Sequence, residues 1–117
     1  MMTKVMTALA VLGLAGCATT APVPPYQLDR TLASIRGAEE IGALGVPAAA
    51  LHLQLAKDET EEAQKMATSG DDRSQLVMAR AQSDAELALG LAREVRVHSD
   101  ALKAGEELKA VRARGNP

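Results

Sequence analysis

The chain has 117 residues and a formal charge of −2, from 13 Lys and Arg against 15 Asp and Glu. This length fits one small domain and argues against a two-domain enzyme. Tyr26 is the only aromatic residue and Ala occurs 23 times, so the composition argues against a β-sandwich or barrel core and favours an all-α fold. The acidic balance and the lack of aromatic stacking platforms argue against nucleic-acid binding.

Residues 1–16 have the organisation of an export signal. Lys4 supplies a basic start, and residues 5–14 form an apolar run without an ionisable group. This run falls short of the roughly 20 residues that span a bilayer as a helix, so it predicts a cleaved signal peptide. The run closes on Leu14-Ala15-Gly16-Cys17, an aliphatic residue, two small residues and a cysteine. This motif resembles the lipobox of bacterial lipoproteins.

The lipobox resemblance implies that Cys17 is a lipid attachment site and the first residue of the mature chain. A thiol is the most nucleophilic side chain available to accept a diacylglyceryl group. Two or more acyl chains then give stable attachment to a membrane that the protein does not cross. Asp after the cysteine favours the inner membrane in such lipoproteins, so Ala18 implies the outer membrane, with the body facing the periplasm. The alternative is an ordinary signal peptide in which Cys17 is incidental.

The chain after the signal divides into a tether, a helical domain and a short tail. Residues 17–26 are rich in proline and carry no charge, which predicts an extended tether. The helical domain is predicted over 27–114 and the tail over 115–117. The first predicted helix covers Gln27–Ile41, where apolar residues recur every three or four positions.

Two further helices are predicted in the domain. The second begins at Pro47, a residue suited to a first helical turn, and reaches about Thr68, with Gly70 as its C-terminal cap. Asp72 and Gln75 have the spacing of a capping box at the start of a third helix, which continues without proline to Arg114.

Helix three carries a stripe of small and apolar residues at alternating spacings of three and four, which we call the seam. Its members are Met78, Ala81, Ala85, Ala88, Ala92, Val95, Ser99 and Leu102. This spacing is typical of coiled-coil-like helix packing. Because most members are Ala, the seam predicts a close approach of the facing helix.

The predicted lengths leave two arrangements open. Helix three would be about 60 Å long and helix two about 33 Å, so one helix does not cover the other. Either helix one folds back to give a small three-helix bundle, or helices one and two lie end to end along helix three as a long antiparallel hairpin. If the end of helix three protrudes, Val95, Leu102, Leu108 and Val111 need a partner chain, which predicts self-association.

An acidic cluster on helix two raises the hypothesis of a metal site. It consists of Asp58, Glu59, Glu61 and Glu62. No Glu-x-x-His spacing accompanies it, and Lys57 and Lys65 each lie four residues from Glu61, where they predict ordinary ion pairs. A solvated charged face is therefore the favoured interpretation, and no metal or other cofactor is expected beyond the lipid on Cys17.

The remaining polar residues do not form a catalytic motif. His52 and His98 each flank an apolar position, without a second ligand at metal spacing. Asp84 lies four residues after Arg80, so an ion pair within helix three is favoured over a functional role for Asp84. Neither a nucleophile elbow nor a phosphate-binding loop is present in the sequence, so we expect a protein without enzymatic activity.

Three short segments of the body form a recognisable pattern: Leu53-Gln54-Leu55-Ala56-Lys57, Ser69-Gly70-Asp71 and the run 79–88, Ala-Arg-Ala-Gln-Ser-Asp-Ala-Glu-Leu-Ala. This pattern resembles a domain-of-unknown-function family of small, Ala-rich helical envelope lipoproteins. It covers about residues 28–110, and departs from the family pattern at Thr60 and Asp72. It implies an envelope location and a helical fold, and it implies no reaction.

Two functions follow as expectations. The first is a non-enzymatic outer-membrane lipoprotein that scaffolds or contacts a protein partner through its helices. The second is a carrier or chaperone that holds an apolar ligand between its helices. A close-packed Ala seam favours the first, because a carrier needs its helices to part.

Overall fold

Residues 22–115 are described by a computed structural model, and over this range the protein is all-α, as predicted. Its elements are α1 (Pro25–Glu40), a 3-10 turn (Ala43–Gly45), α2 (Pro47–Ser69) and α3 (Ser74–Arg114). The lipobox, Cys17 and most of the predicted tether lie outside the described residues. None of the described helices is both long enough and apolar enough to cross a membrane.

Two glycines make the turns between the helices possible. Gly42 ends α1 with a φ of 94°, and Gly70 ends α2 with a φ of 75°, in the left-handed region where a side chain is strained. The N–H of Gly70 donates to the Ala67 carbonyl, and the N–H of Asp71 donates to the Met66 carbonyl at 2.9 Å. The predicted cap at Gly70 is therefore confirmed.

The predicted capping box at the start of α3 is wrong. The helix begins after Arg73 and has no side-chain capping bond. Asp71 closes the turn instead, because its carboxylate accepts the backbone N–H of Arg73 at 2.9 Å and also pairs with the Arg73 guanidinium. Gln75, the other member of the predicted box, donates its side-chain amide to the Pro22 carbonyl at 3.1 Å.

Helix α1 folds back to make a three-helix bundle, which decides between the two predicted arrangements. The bond from Gln75 to Pro22 places the start of α1 beside the start of α3. Further along, the Arg30 guanidinium lies 3.1 Å from the Glu86 carboxylate. Helices α1 and α3 therefore run parallel, and α2 runs antiparallel to both.

The bundle core is small and consists mainly of alanine. On α3 the five seam residues from Met78 to Ala92 are at most 2% exposed. The largest fully buried side chains are Leu53, Met78 and Thr31. The Thr31 hydroxyl donates to the Gln27 carbonyl at 2.8 Å, so its polar atom is satisfied within α1.

The second half of α3, residues 93–114, extends past the bundle as an arm about 33 Å long. Ala92 and Ala43 belong to one buried cluster, which closes the bundle at the level of the α1–α2 connection. Beyond it, Val95 is 49% exposed and Leu102 is 60% exposed. The prediction that these two residues pack in the seam is thus corrected: they share its face, but no helix within residues 22–115 covers them.

Candidate functional site

Four charged or ionisable side chains, which we call the polar cluster, lie along the contact between α2 and α3. The His52 Nδ1 lies 2.7 Å from the Asp84 Oδ1. The Arg80 Nη2 lies 2.7 Å from the Glu59 Oε1. Both bonds join the two helices, since His52 and Glu59 are on α2 and Arg80 and Asp84 are on α3.

The polar cluster corrects the predicted ion pair between Arg80 and Asp84. These residues are four apart on one helix, but each bonds to a partner on α2 instead. The physical reason is that their positions border the seam, where α2 approaches closely. His52 and Glu59 immediately precede the buried Leu53 and Thr60, a spacing of seven that puts both side chains on the same border of α2.

Glu59 is the one residue of the cluster that is buried, with 8% of its surface exposed. Its Oε1 forms an ion pair with the Arg80 guanidinium, while its Oε2 is buried without a hydrogen-bond partner. Burial raises the pKa of Glu59, and the nearby Asp84 carboxylate raises it further, whereas Arg80 acts in the opposite direction. The prediction that Glu59 belongs to a solvated face is therefore wrong.

The other members of the acidic cluster on α2 are exposed to solvent. Glu61 pairs with Lys65, which lowers the pKa of the Glu61 carboxyl. Asp58 accepts the Gln54 amide at 2.8 Å. Lys57 pairs with Glu39 of α1 rather than with Glu61 as predicted. Across residues 22–115, no three His, Cys, Asp or Glu side chains are arranged to hold a metal ion.

The polar cluster connects α2 to α3 through two side-chain bonds. A His–Asp pair acts in catalysis by activating a nucleophile within hydrogen-bond reach. The neighbouring hydroxyl of Thr60 faces its own helix, because it donates to the Ala56 carbonyl at 2.6 Å. A search of α2 for polar residues seven apart next to its buried positions would have found His52 and Glu59.

A half-open apolar groove of about 420 Å³ lies at the end of the bundle where α1 begins. Its apolar walls include Val23 and Leu28 from the start of the described chain and Met78 from α3. Gln64 and Thr68 of α2 give it a polar edge. Sequence patterns do not reveal it, because it forms where the chain before α1 meets the end of α2.

The arm exposes several large apolar side chains along one helix. Its large exposed side chains, each at least 49% exposed, are Val95, Val97, Leu102, Leu108 and Val111. His98 also lies on the arm and is exposed, away from His52 in the bundle. The arm thus presents a continuous helix with apolar side chains that the bundle leaves uncovered.

No protein-family model, curated protein or solved structure matches the chain. The family resemblance described above stays a prediction, and function has to be argued from the chain itself.

Proposed function

We propose that the protein is a lipid-anchored lipoprotein of the bacterial envelope, held to the outer membrane through Cys17 and acting as a non-enzymatic interaction module. The observation that carries the anchor is Leu14-Ala15-Gly16-Cys17 directly after an apolar run of signal-peptide length. Lipid on a cysteine attaches a protein stably when two or more acyl chains are present.

The shape of the helical body supports an interaction role. The start of α1 and the start of α3 lie at the same end of the bundle, where the Gln75 side-chain amide donates a hydrogen bond to the Pro22 carbonyl. An anchor before Pro22 therefore puts this end towards the membrane and directs the arm away from it. Exposed apolar side chains that repeat along a helix mark a binding surface.

The lipid anchor is tested by the mass of the mature chain made in a diderm bacterium. We expect a chain that begins at Cys17 and carries a diacylglyceryl group and an amide-linked acyl chain, recovered with the outer membrane. The Cys17→Ser variant serves as the control and should lose both the lipid and the membrane association. An unmodified Cys17 in the wild-type chain contradicts the proposal.

The interaction role is tested by removing the arm. A chain that stops after Arg96 keeps every buried residue of the bundle, so we expect unchanged thermal unfolding and membrane location. In mild detergent extracts the intact chain should sediment as part of a larger assembly and the shortened chain should not. Equal sedimentation of the two chains rules out the arm as the interaction surface.

A carrier role is the second candidate, and the groove of about 420 Å³ favours it, because its apolar walls suit a lipid chain. Native mass spectrometry of protein taken from its own membrane should then show one bound lipid per chain. Ala67→Phe, at the wall of the groove, should abolish that binding. Protein recovered without lipid contradicts the carrier role.

A further inference from the structure

The arm carries a second stripe, which does not continue the seam. Its members are Val97, Ala101, Ala104, Leu108 and Val111, at spacings of four, three, four and three. All five are exposed, with 67% of Val97 and 63% of Val111 accessible to solvent. We call this set the outer stripe.

The outer stripe lies on a different side of α3 from the bundle. At 3.6 residues per turn, its centre is about 140° around the helix from the buried seam residues. The seam itself becomes polar after Leu102, where its next positions are Glu106 and Lys109. Beyond the bundle α3 therefore has a second apolar face on another side of the helix, and a helix that covers the outer stripe does not collide with α1 or α2.

We infer that the outer stripe binds the outer stripe of a second copy of this chain, with the two arms parallel and in register. This inference rests on the proposed lipid anchor. The spacing assigns Ala101 and Leu108 to position a, and Val97, Ala104 and Val111 to position d, of a two-heptad coiled coil.

The charged residues beside the outer stripe complement one another in this arrangement. Glu107 occupies a g position and Arg112 the e position that faces it on the other copy. A parallel pair thus forms this contact twice, once on each side of the stripe.

The lipid anchor also favours a parallel arrangement of the two arms. From Cys17 to Pro25 the chain spans at most about 28 Å, however it is folded. An antiparallel pair of arms would lift one bundle by about 60 Å, the combined length of bundle and arm along α3. Two copies on one membrane therefore meet with parallel arms. Confinement to one surface raises their effective concentration, which offsets the shortness of a two-heptad contact.

Single-cysteine crosslinking of the full, lipidated chain in its membrane tests the inference. The variants are Val97→Cys and Val111→Cys at the two ends of the outer stripe, with Leu102→Cys as the matched control at 60% exposure. In a parallel pair each stripe position faces itself at a spacing that a disulfide can bridge. We expect mild oxidation to give at least tenfold more covalent homodimer for both stripe variants than for the control.

Each other outcome overturns the inference. The absence of dimer from both stripe variants, as an antiparallel pair would give, contradicts it. The inference is also contradicted if Leu102→Cys gives as much homodimer as the stripe variants. It is contradicted as well if a stripe variant crosslinks to a chain of different mass. The wild-type chain tests the anchor separately, because a lipid-blocked Cys17 gives no disulfide. A wild-type dimer or an unmodified Cys17 overturns the proposed function, whereas a lipidated chain without stripe crosslinks overturns only the pairing.

Discussion

The two halves of α3 have similar residues at similar spacings but different surroundings. Residues 74–92 bury four of their five alanines, all except Ala79, whereas residues 93–114 expose all of theirs to solvent. Alanine at spacings of three and four stabilises a helix in both halves, since Ala has the highest helix propensity. Alanine at these spacings therefore specifies a helix and a face for contact, and the length of α3 relative to α1 and α2 determines whether that face is covered within the chain.

The largest difference between the two halves is expected for removal of a large apolar side chain. Leu53, 1% exposed, packs in the bundle, so Leu53→Ala should lower the free energy of unfolding by about 3 kcal/mol through lost burial and a cavity. Leu102→Ala on the arm is the matched control and should change it by less than about 0.5 kcal/mol. Chemical denaturation measures both, and equal losses would show that the arm packs against the bundle.

Enlarging an alanine gives the next largest contrast. Ala85 is fully buried in the seam, so Ala85→Leu should cost about 1–3 kcal/mol by forcing α2 and α3 apart. Ala110 is exposed on the arm, so Ala110→Leu should leave the denaturation midpoint unchanged. A seam that accepts Leu without loss would contradict the close helix packing described above.

Glu59 offers a test of the bundle half through pH. Its pKa is higher in the folded than in the unfolded chain, so its contribution to stability is greatest below the unfolded pKa and is lost as pH rises through the folded pKa. Glu59→Gln should therefore gain about 1 kcal/mol at pH 7, because it removes a buried charge with an unpartnered oxygen. The gain should vanish in acid, where Glu59 is protonated.

The matched control for Glu59 is Glu61→Gln, two residues along α2. Glu61 is exposed and its pKa is lowered by Lys65, so this change should give no gain at pH 7. Denaturation between pH 4 and pH 7 measures both variants. A loss of stability in Glu59→Gln at pH 7 would mean that the bond to Arg80 outweighs the cost of burial.

The smallest effects are expected from the helical glycines. Gly90 and Gly105 lie in helix interiors with open space where a Cβ would be added. Gly90→Ala should raise the free energy of unfolding by about 0.5–1 kcal/mol, the usual difference in helix propensity. Gly105→Ala should increase the helicity of the arm without moving the thermal midpoint. A higher midpoint in Gly105→Ala would couple the arm to the bundle.

Much of the fold could be predicted from the sequence because its determinants are local. Pro47 begins α2 and Gly70 ends it, as their backbone preferences dictate. The contacts between helices were harder to predict from the sequence. Pairing Asp84 with Arg80 followed from their spacing on one helix, but the true partners, His52 and Glu59, lie far away along the chain. The turn of α1 back along α3 depends on tertiary packing, which the helix patterns do not encode.

The arm and the groove also differ in how far the sequence predicts them. The exposed Val95 and Leu102 follow from comparing the lengths of helices two and three, so a protruding end was predictable. The groove near Val23 was not, because it exists only where three separate segments meet. The outer stripe is visible in the sequence, but its meaning depends on knowing that Ala92 ends the buried face of α3.

The pairing of two arms can be followed by amide hydrogen exchange along α3, measured on the lipidated chain at low and high density on vesicles. Residues 78–92 are held by the bundle, so their exchange should be slow and the same at both densities. Residues 97–111 should exchange quickly at low density and at least tenfold more slowly at high density, when second copies cover the outer stripe. Protection of 97–111 that does not change with density would show that second copies do not cover the outer stripe.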